Sequence, residues 1–316
     1  MPPSPQGITQ FVIVDDKVKL EVIDWGGTGR PLVLLAGLGG HARDFARFAA
    51  DLIPRYRVIS ITRRGFPPSS VPASGYSADR LGDDVVAVID ALKLARPVLV
   101  GHSLAGEELS AVANHHPDRI AGLVYLDAGY AYALYDEVHG DVNLDGLEAA
   151  KDLTLLRPGE APGNIKPLID QLLLTLPKLE RNLESREEEM LTPPEAPPAV
   201  VADASAHPPA PPPPPAAPPQ IQAIFAGEEK FTAIPVPTLA IFAVPHDLGS
   251  AFKDRPALRA RLEAIDLSQT ETQVEAFARQ VPAARVVRLP HANHLVFKSN
   301  EADVLREMNA FIGGLP

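Results

Sequence analysis

Ser103 is the residue around which chemistry can be built. It lies in Pro97-Val98-Leu99-Val100-Gly101-His102-Ser103-Leu104-Ala105-Gly106-Glu107-Glu108-Leu109. The apolar β-branched run before it reads as a buried strand, and the run after it as a helix. A serine on so tight a strand-to-helix turn presents its hydroxyl beside the N–H groups that open the helix. Such donors stabilise an oxyanion as it forms. Gly101-x-Ser103-x-Ala105 is the G-x-S-x-G elbow with alanine at the last glycine. A serine hydroxyl is a weak nucleophile without a base, so a histidine and an orienting carboxylate must come from elsewhere in the chain.

Two strand ends supply candidates. The last strand, Ala284 to Leu289, runs into His291-Ala292-Asn293-His294, and the one before it ends in Val244-Pro245-His246-Asp247. A further carboxylate, Asp127, ends the strand that follows the elbow. All sit where ligands gather in parallel sheets, outside the carboxyl ends of the strands. His294 and His291 are the alternatives for the base, Asp247 and Asp127 for the acid. His246 reads as a loop residue. Glu107 and Glu108 suit the positive end of the elbow helix, and His115-His116 its negative end. No histidine pair has a spacing that proposes zinc.

The elements that must position these residues follow in order. Phe11–Val14 and Val18–Trp25 read as strands around a turn at Asp15-Asp16. Pro31–Ala36 is a continuous apolar strand ending in Gly37-Leu38-Gly39-Gly40. A helix is expected from His41 to Leu52, a strand over Val58–Thr62, and a helix from Ser77, as N-cap, to about Leu94. Ile120–Asp127 and Val236–Val244 are further strands, and Asn300–Phe311 closes the chain as a helix. Ser268-Gln269-Thr270-Glu271 has the form of a capping box opening a helix to about Gln280. Strand and helix alternate, which implies a mostly parallel central sheet with helices on both faces.

That alternation is broken between residues 129 and 233, where the residues predict helices over 168–176 and 179–190 and then a Pro-rich tract at 193–219. Such a tract favours polyproline II or coil. It reads as a passive linker or as a docking segment. The organisation expected is a core in two parts, 1–128 and 234–316, with an inserted, largely helical and Pro-rich cap at 129–233. Tyr130, Tyr132 and Tyr135, where the chain enters the cap, either line a pocket or pack the cap on the core.

The chain resembles the α/β-hydrolases with an inserted cap. The resemblance covers nearly all of the chain outside the proline-rich tract. It implies Ser103 as nucleophile, His294 as base and Asp247 as the carboxylate that orients the imidazole, with Asp127 as the rival acid used by some members. The family's oxyanion donors map to the backbone N–H groups of Leu38 and Leu104. Two motifs depart from the family pattern: Ala36-Gly37 stands where His-Gly is common. Thr62-Arg63-Arg64-Gly65-Phe66-Pro67-Pro68-Ser69 is a loosened form of D-x-R-G-x-G-x-S. That run reads as a structural loop whose Phe66 faces the pocket.

The activity implied is hydrolysis of small to medium apolar acyl or aryl esters through an acyl-enzyme. The same triad serves C–C bond hydrolysis, perhydrolysis and cofactor-free haloperoxidation, and a non-catalytic ligand-binding homologue is a further alternative. Epoxide hydrolases and haloalkane dehalogenases of similar fold use an aspartate where Ser103 stands. No metal or organic cofactor is expected.

Composition bounds the partners. The chain has 316 residues and a formal net charge of −11, with no basic block to neutralise phosphates, which argues against nucleic acid. It has no cysteine, so thiolate catalysis and Cys-based metal sites are excluded. No apolar stretch approaches a membrane span. Met1–Gly7 has neither a basic start nor an apolar segment and does not read as a signal peptide, which fits a cytoplasmic protein or a trimmed secreted one. A small-molecule ester is the expected partner, with the oligomeric state left open.

Overall fold

The computed structural model describes residues 6–157, 159, 163–191 and 216–316. Most of the proline-rich tract, up to residue 215, lies outside the described residues. The described chain forms one eight-stranded sheet in the order β1-β2-β4-β3-β5-β6-β7-β8. β1 (Ile8–Asp15) and β2 (Val18–Gly26) form the antiparallel edge, and β2 pairs antiparallel with β4 (Arg57–Ile61). From there the pairing is parallel through β3 (Pro31–Leu35), β5 (Val98–His102), β6 (Gly122–Leu126), β7 (Thr238–Ala243) and β8 (Arg285–Leu289). The expected mostly parallel sheet with helices on both faces is therefore present.

The central strands are apolar at every position because both faces are covered. Alternate side chains go to opposite sides. Leu32 and Leu34 of β3 pack with Phe48 of α1 (Ala46–Leu52) and Val304 and Met308 of α9 (Glu301–Gly313). Val33 and Leu35 face Val85 and Ile89 of α2 (Ala78–Ala91) and Leu109 and Val112 of α3 (Ala105–His115). Truncating a buried leucine in such a layer costs about 2–5 kcal/mol. Ser77 caps α2 as its residue type requires, its side chain accepting from the Arg80 N–H.

Between β6 and β7 the described residues hold α4 (Val142–Leu155), α5 (Lys166–Leu191) and α6 (Pro219–Ala226). Two helices expected at 168–176 and 179–190 are one, continuing through Pro177. The helix expected to open at Ser268 is also longer: α7 spans Pro256–Gln280, with Pro256 in its first turn. Ser268 is thus interior, and its carbonyl accepts from the Thr272 hydroxyl at 2.9 Å, the local bond by which Ser and Thr are tolerated mid-helix. A short helix α8 (Val296–Ser299) precedes α9. Among the described residues no helix is long and apolar enough to cross a membrane.

Candidate active site

β5 delivers Ser103 to the carboxyl edge of the sheet. Its φ is +52°, in the left-handed region that non-glycine residues occupy only under local constraint. The constraint is visible: Ser103 N–H donates to the Leu126 carbonyl at 3.3 Å, and Gly106 N–H donates back to the Ser103 carbonyl at 2.9 Å. Gly101 is required below it, since a Cβ there would come within 2.5 Å of Leu109 and 3.1 Å of the Ala105 carbonyl. Gly37 is required above it, because its own Cβ would lie 2.9 Å from the Ser103 Cβ. Ser103 is partly exposed and shares a cavity of about 320 Å³ with Leu38, Phe45, His102, His294 and Phe297.

His294 lines that cavity and is held from behind. Its Nδ1 is 2.6 Å from Oδ2 of Asp127. With Nδ1–H donated to the carboxylate, Nε2 is left as the acceptor. The carboxylate is fully buried and takes four donors. Oδ1 accepts from the Ala243 N–H at 2.9 Å and the Tyr130 hydroxyl at 2.8 Å, and Oδ2 from His294 and from His246 Nε2 at 2.7 Å. Burial alone would raise its pKa, but the hydrogen bonds from His246 and His294 outweigh it and hold the group at about 2.

The expectation that Asp247 orients His294 is corrected. After β7 the parallel pairing extends one further step, between His246 and Ala292. Side chains alternate along such a segment, so His246 turns inward and Asp247 outward. The Asp247 carboxylate is about half exposed, accepts from the Gly249 N–H at 2.8 Å and lies 3.6 Å from Arg259. Asp127, by contrast, sits one residue beyond β6 with φ +49°, which folds its side chain back under the sheet edge. His291, the alternative base, occupies the turn after β8 with φ +52° and does not line this cavity.

The loop bearing Leu38 is fixed by a residue read from sequence only as structural. Arg63 is buried, donates to the Ala36 carbonyl at 2.9 Å and the Gly37 carbonyl at 3.3 Å, and forms a two-pronged pair with Glu108 at 2.6 and 2.8 Å. Glu108 therefore ties the elbow helix to the Leu38 loop instead of merely complementing the helix dipole. Burial opposes the Arg63 charge, and Glu108 overcomes that and raises its pKa. Glu107 is buried with neither carboxylate oxygen paired, and burial, then Glu228 and Glu108, push it well above the carboxylate range. Leu104 is buried at the head of α3, its backbone beside Ser103.

His102, unremarked in the sequence, also matters. Its Nε2 is 3.1 Å from the His294 carbonyl, and its ring lies 4.7 Å from the His294 ring. Burial, reinforced by His294, lowers its pKa to about 4, so it is a neutral donor that anchors the His294 loop. Its place between the glycine and serine of the elbow was the available signal. Tyr132 is half-buried beside the Ser103 side chain, while Tyr130 is spent on Asp127. Phe66 packs with Leu104, Ile224 and Tyr132, so it reaches the apolar wall next to the serine without lining the cavity. Tyr135 instead donates to Asp145 at 2.6 Å, holding α4.

A second cavity of about 680 Å³ opens on the other side of His294, among Tyr130, Tyr132, Asp141, His246, Asp266 and Asn293. Ligand atoms of Asp127, His246 and His294 lie within 4.8 Å of one another, close enough to be considered for a metal. Both imidazole nitrogens approach the same carboxylate oxygen at hydrogen-bond distance, so protons account for the cluster.

A model of the alpha/beta hydrolase family matches residues 32–307. The chain belongs to this family. It is 35% identical over 120 residues to a non-heme haloperoxidase of Rhodococcus erythropolis, a match over 37% of this chain and 43% of that protein. It is 29% identical over 123 residues to the 2-(acetamidomethylene)succinate hydrolase of Mesorhizobium japonicum, covering 39% and 42%. The matched stretches thus span less than half of these relatives. The crystal structure of E-2-(acetamidomethylene)succinate hydrolase superposes with a TM-score of 0.57 over 98% of this chain and 100% of the other, at 22% identity. A thermophilic esterase from Thermogutta terrifontis does so with a TM-score of 0.58 over 97% and 98%, at 20% identity. These two share the fold. Membership and fold make the chain an α/β-hydrolase family member with a serine at the elbow.

Proposed function

We propose that this hydrolase cleaves carboxylic esters through an acyl-enzyme formed on Ser103. The observation that carries the reading is the 2.6 Å contact of His294 Nδ1 with buried Asp127, made by a histidine lining the cavity of Ser103. In the first half-reaction Ser103 Oγ attacks the carbonyl carbon and its proton passes to His294 Nε2. Asp127 keeps the imidazole in the tautomer that can accept it. The carbonyl oxygen becomes an anion facing the N–H groups of Leu38 and Leu104. Collapse expels the alcohol, which takes the proton from His294. Water then attacks the acyl carbon, gives a proton to His294, and the acid leaves as Ser103 recovers its own. No cofactor enters any step.

The cavity volume and its lining of Leu38, Phe45, Leu295 and Phe297 suit a small to medium apolar acyl or aryl group. Residues 129–233 act as the cap, contributing Tyr130, Tyr132, Asp141 and Asn143 to the second cavity, where a leaving group or acid would sit. The test is fluorophosphonate labelling with adduct mapping, followed by p-nitrophenyl esters of graded chain length. Modification at Ser103, abolished in Ser103→Ala, is expected, with turnover of short chains. An unmodified Ser103 overturns the mechanism. Labelling without turnover of any ester moves the reaction to another use of the same triad, perhydrolysis or C–C cleavage.

A further inference from the structure

His246 stands where sequence reading saw only a loop. Its ring is clamped: Nε2 lies 2.7 Å from Asp127 Oδ2, Nδ1 lies 2.9 Å from Asp266 Oδ1, and its backbone N–H donates to Asp266 Oδ2 at 2.7 Å. Both ring nitrogens face carboxylates, which accept and cannot donate, so both carry hydrogen and the ring is a cation. Its side chain is four-fifths buried. The ring centroid lies 5.9 Å from that of His294, and both histidines meet the same oxygen of Asp127.

We infer that His246, fixed as an imidazolium by Asp266, is a positioning residue that sets the proton affinity of His294 through their shared carboxylate. The inference rests on the proposed triad and adds a fourth and fifth member behind it. A cation on Asp127 Oδ2 withdraws part of the negative charge that would otherwise favour protonated His294. It also repels a second positive ring nearby. Both effects keep His294 unprotonated, and so able to accept the serine proton, at lower pH than a histidine–aspartate pair without it. An opposite or like charge within 4–6 Å moves a pKa by about 1–3 units, so the effect is of catalytic size. Burial opposes the charge on His246, but its hydrogen bonds to Asp127 and Asp266 prevail and raise its pKa to about 9. Also around it are the Tyr130 hydroxyl at 3.3 Å and, lining the same cavity, Asp141 and Asp247.

The test is the titration of His294 by imidazole NMR in the full chain, wild type against His246→Gln and His246→Ala. The amide of the glutamine can still donate to Asp127 but has no charge. The His294 midpoint should rise by about one unit in both variants. The pH profile of fluorophosphonate labelling at Ser103 should move its acid limb by the same amount, slowing labelling about tenfold below the midpoint. Asp266→Asn should give a smaller shift in the same direction, since Asp127 still holds the ring. An unmoved His294 midpoint in folded His246→Gln, whatever its melting temperature, overturns the inference and leaves His246 a structural prop. If Ser103 does not label but the His294 midpoint moves, the coupling stands and the ester-hydrolase reading falls.

Discussion

The turns after β6 and β7 are alike in placement and opposite in what they do with their aspartates. Each follows a fully buried parallel strand at the same edge, and each carries an aspartate within a few residues of its end. Asp127 is buried under four donors, one from its own turn and three from β7, the turn after it and the loop after β8, whereas Asp247 faces solvent with one backbone N–H and Arg259 at 3.6 Å. The difference is one of parity. A single residue's shift along an extended segment sends a side chain to the opposite face, and β7's extra step spends the inward position on His246. Being at the right end of the right strand brings a carboxylate to the neighbourhood of the site, and burial with donors makes it part of the site.

The comparison can be broken most directly at the acid. Asp127→Asn should lower ester turnover about 10⁴-fold, because an amide can present the wrong hydrogen-bonding group to His294 Nδ1. Steady-state kinetics on the best p-nitrophenyl ester reads this, and a loss as large in Asp247→Asn would restore the other turn as the source of the acid. Glu108→Gln strips the partner from buried Arg63 and should cost about 3–5 kcal/mol in urea unfolding, with a loosened Leu38 loop. The third outcome concerns pH. Asp127, depressed to about 2, stabilises the fold above its ordinary 3.8, and that contribution fades as pH falls toward 2. His246, raised to about 9, stabilises it below its ordinary 6.5, and that contribution fades as pH rises through 9. Unfolding free energy should therefore peak between these limits and fall by on the order of 2 kcal/mol on either side, a profile that Asp127→Asn flattens. The smallest effect sharpens the contrast: Asp247→Asn should change turnover less than twofold and stability by under about 0.5 kcal/mol, as exposed positions usually do.

Much of this was legible in the chain. The strands of the parallel sheet, the elbow at Ser103 and the loop holding His294 follow from apolar runs bounded by small residues, which encode burial locally. The choice of Asp127 over Asp247 was not legible, because it depends on how β7 pairs with the segment at Ala292, a contact between residues 46 positions apart. The same reason hid His246, whose role exists only once α7 brings Asp266 beside it. Arg63 and Glu108 read as unrelated charges because their pairing crosses from the loop after β4 to α3. The Ser268 capping box was misread for a different cause: its pattern is local, but Pro256 upstream already starts the helix.

Asp127 has one more property. Its N–H donates to the Ile241 carbonyl at 2.7 Å, and its side chain accepts from the Ala243 N–H at 2.9 Å. The last residue before the long insertion is thereby stitched to the strand that follows it. The two roots of the insertion are a closed clasp, and Asp127 is the clasp. Lengthening a closed loop adds only about 0.6 kcal/mol per doubling. If the proposed mechanism holds, segments of the insertion beyond the tyrosines that touch Asp127 and Ser103 should tolerate exchange, trimming or extension while the proton-transfer apparatus stays in register, so that substrate range and catalytic power would be separately adjustable.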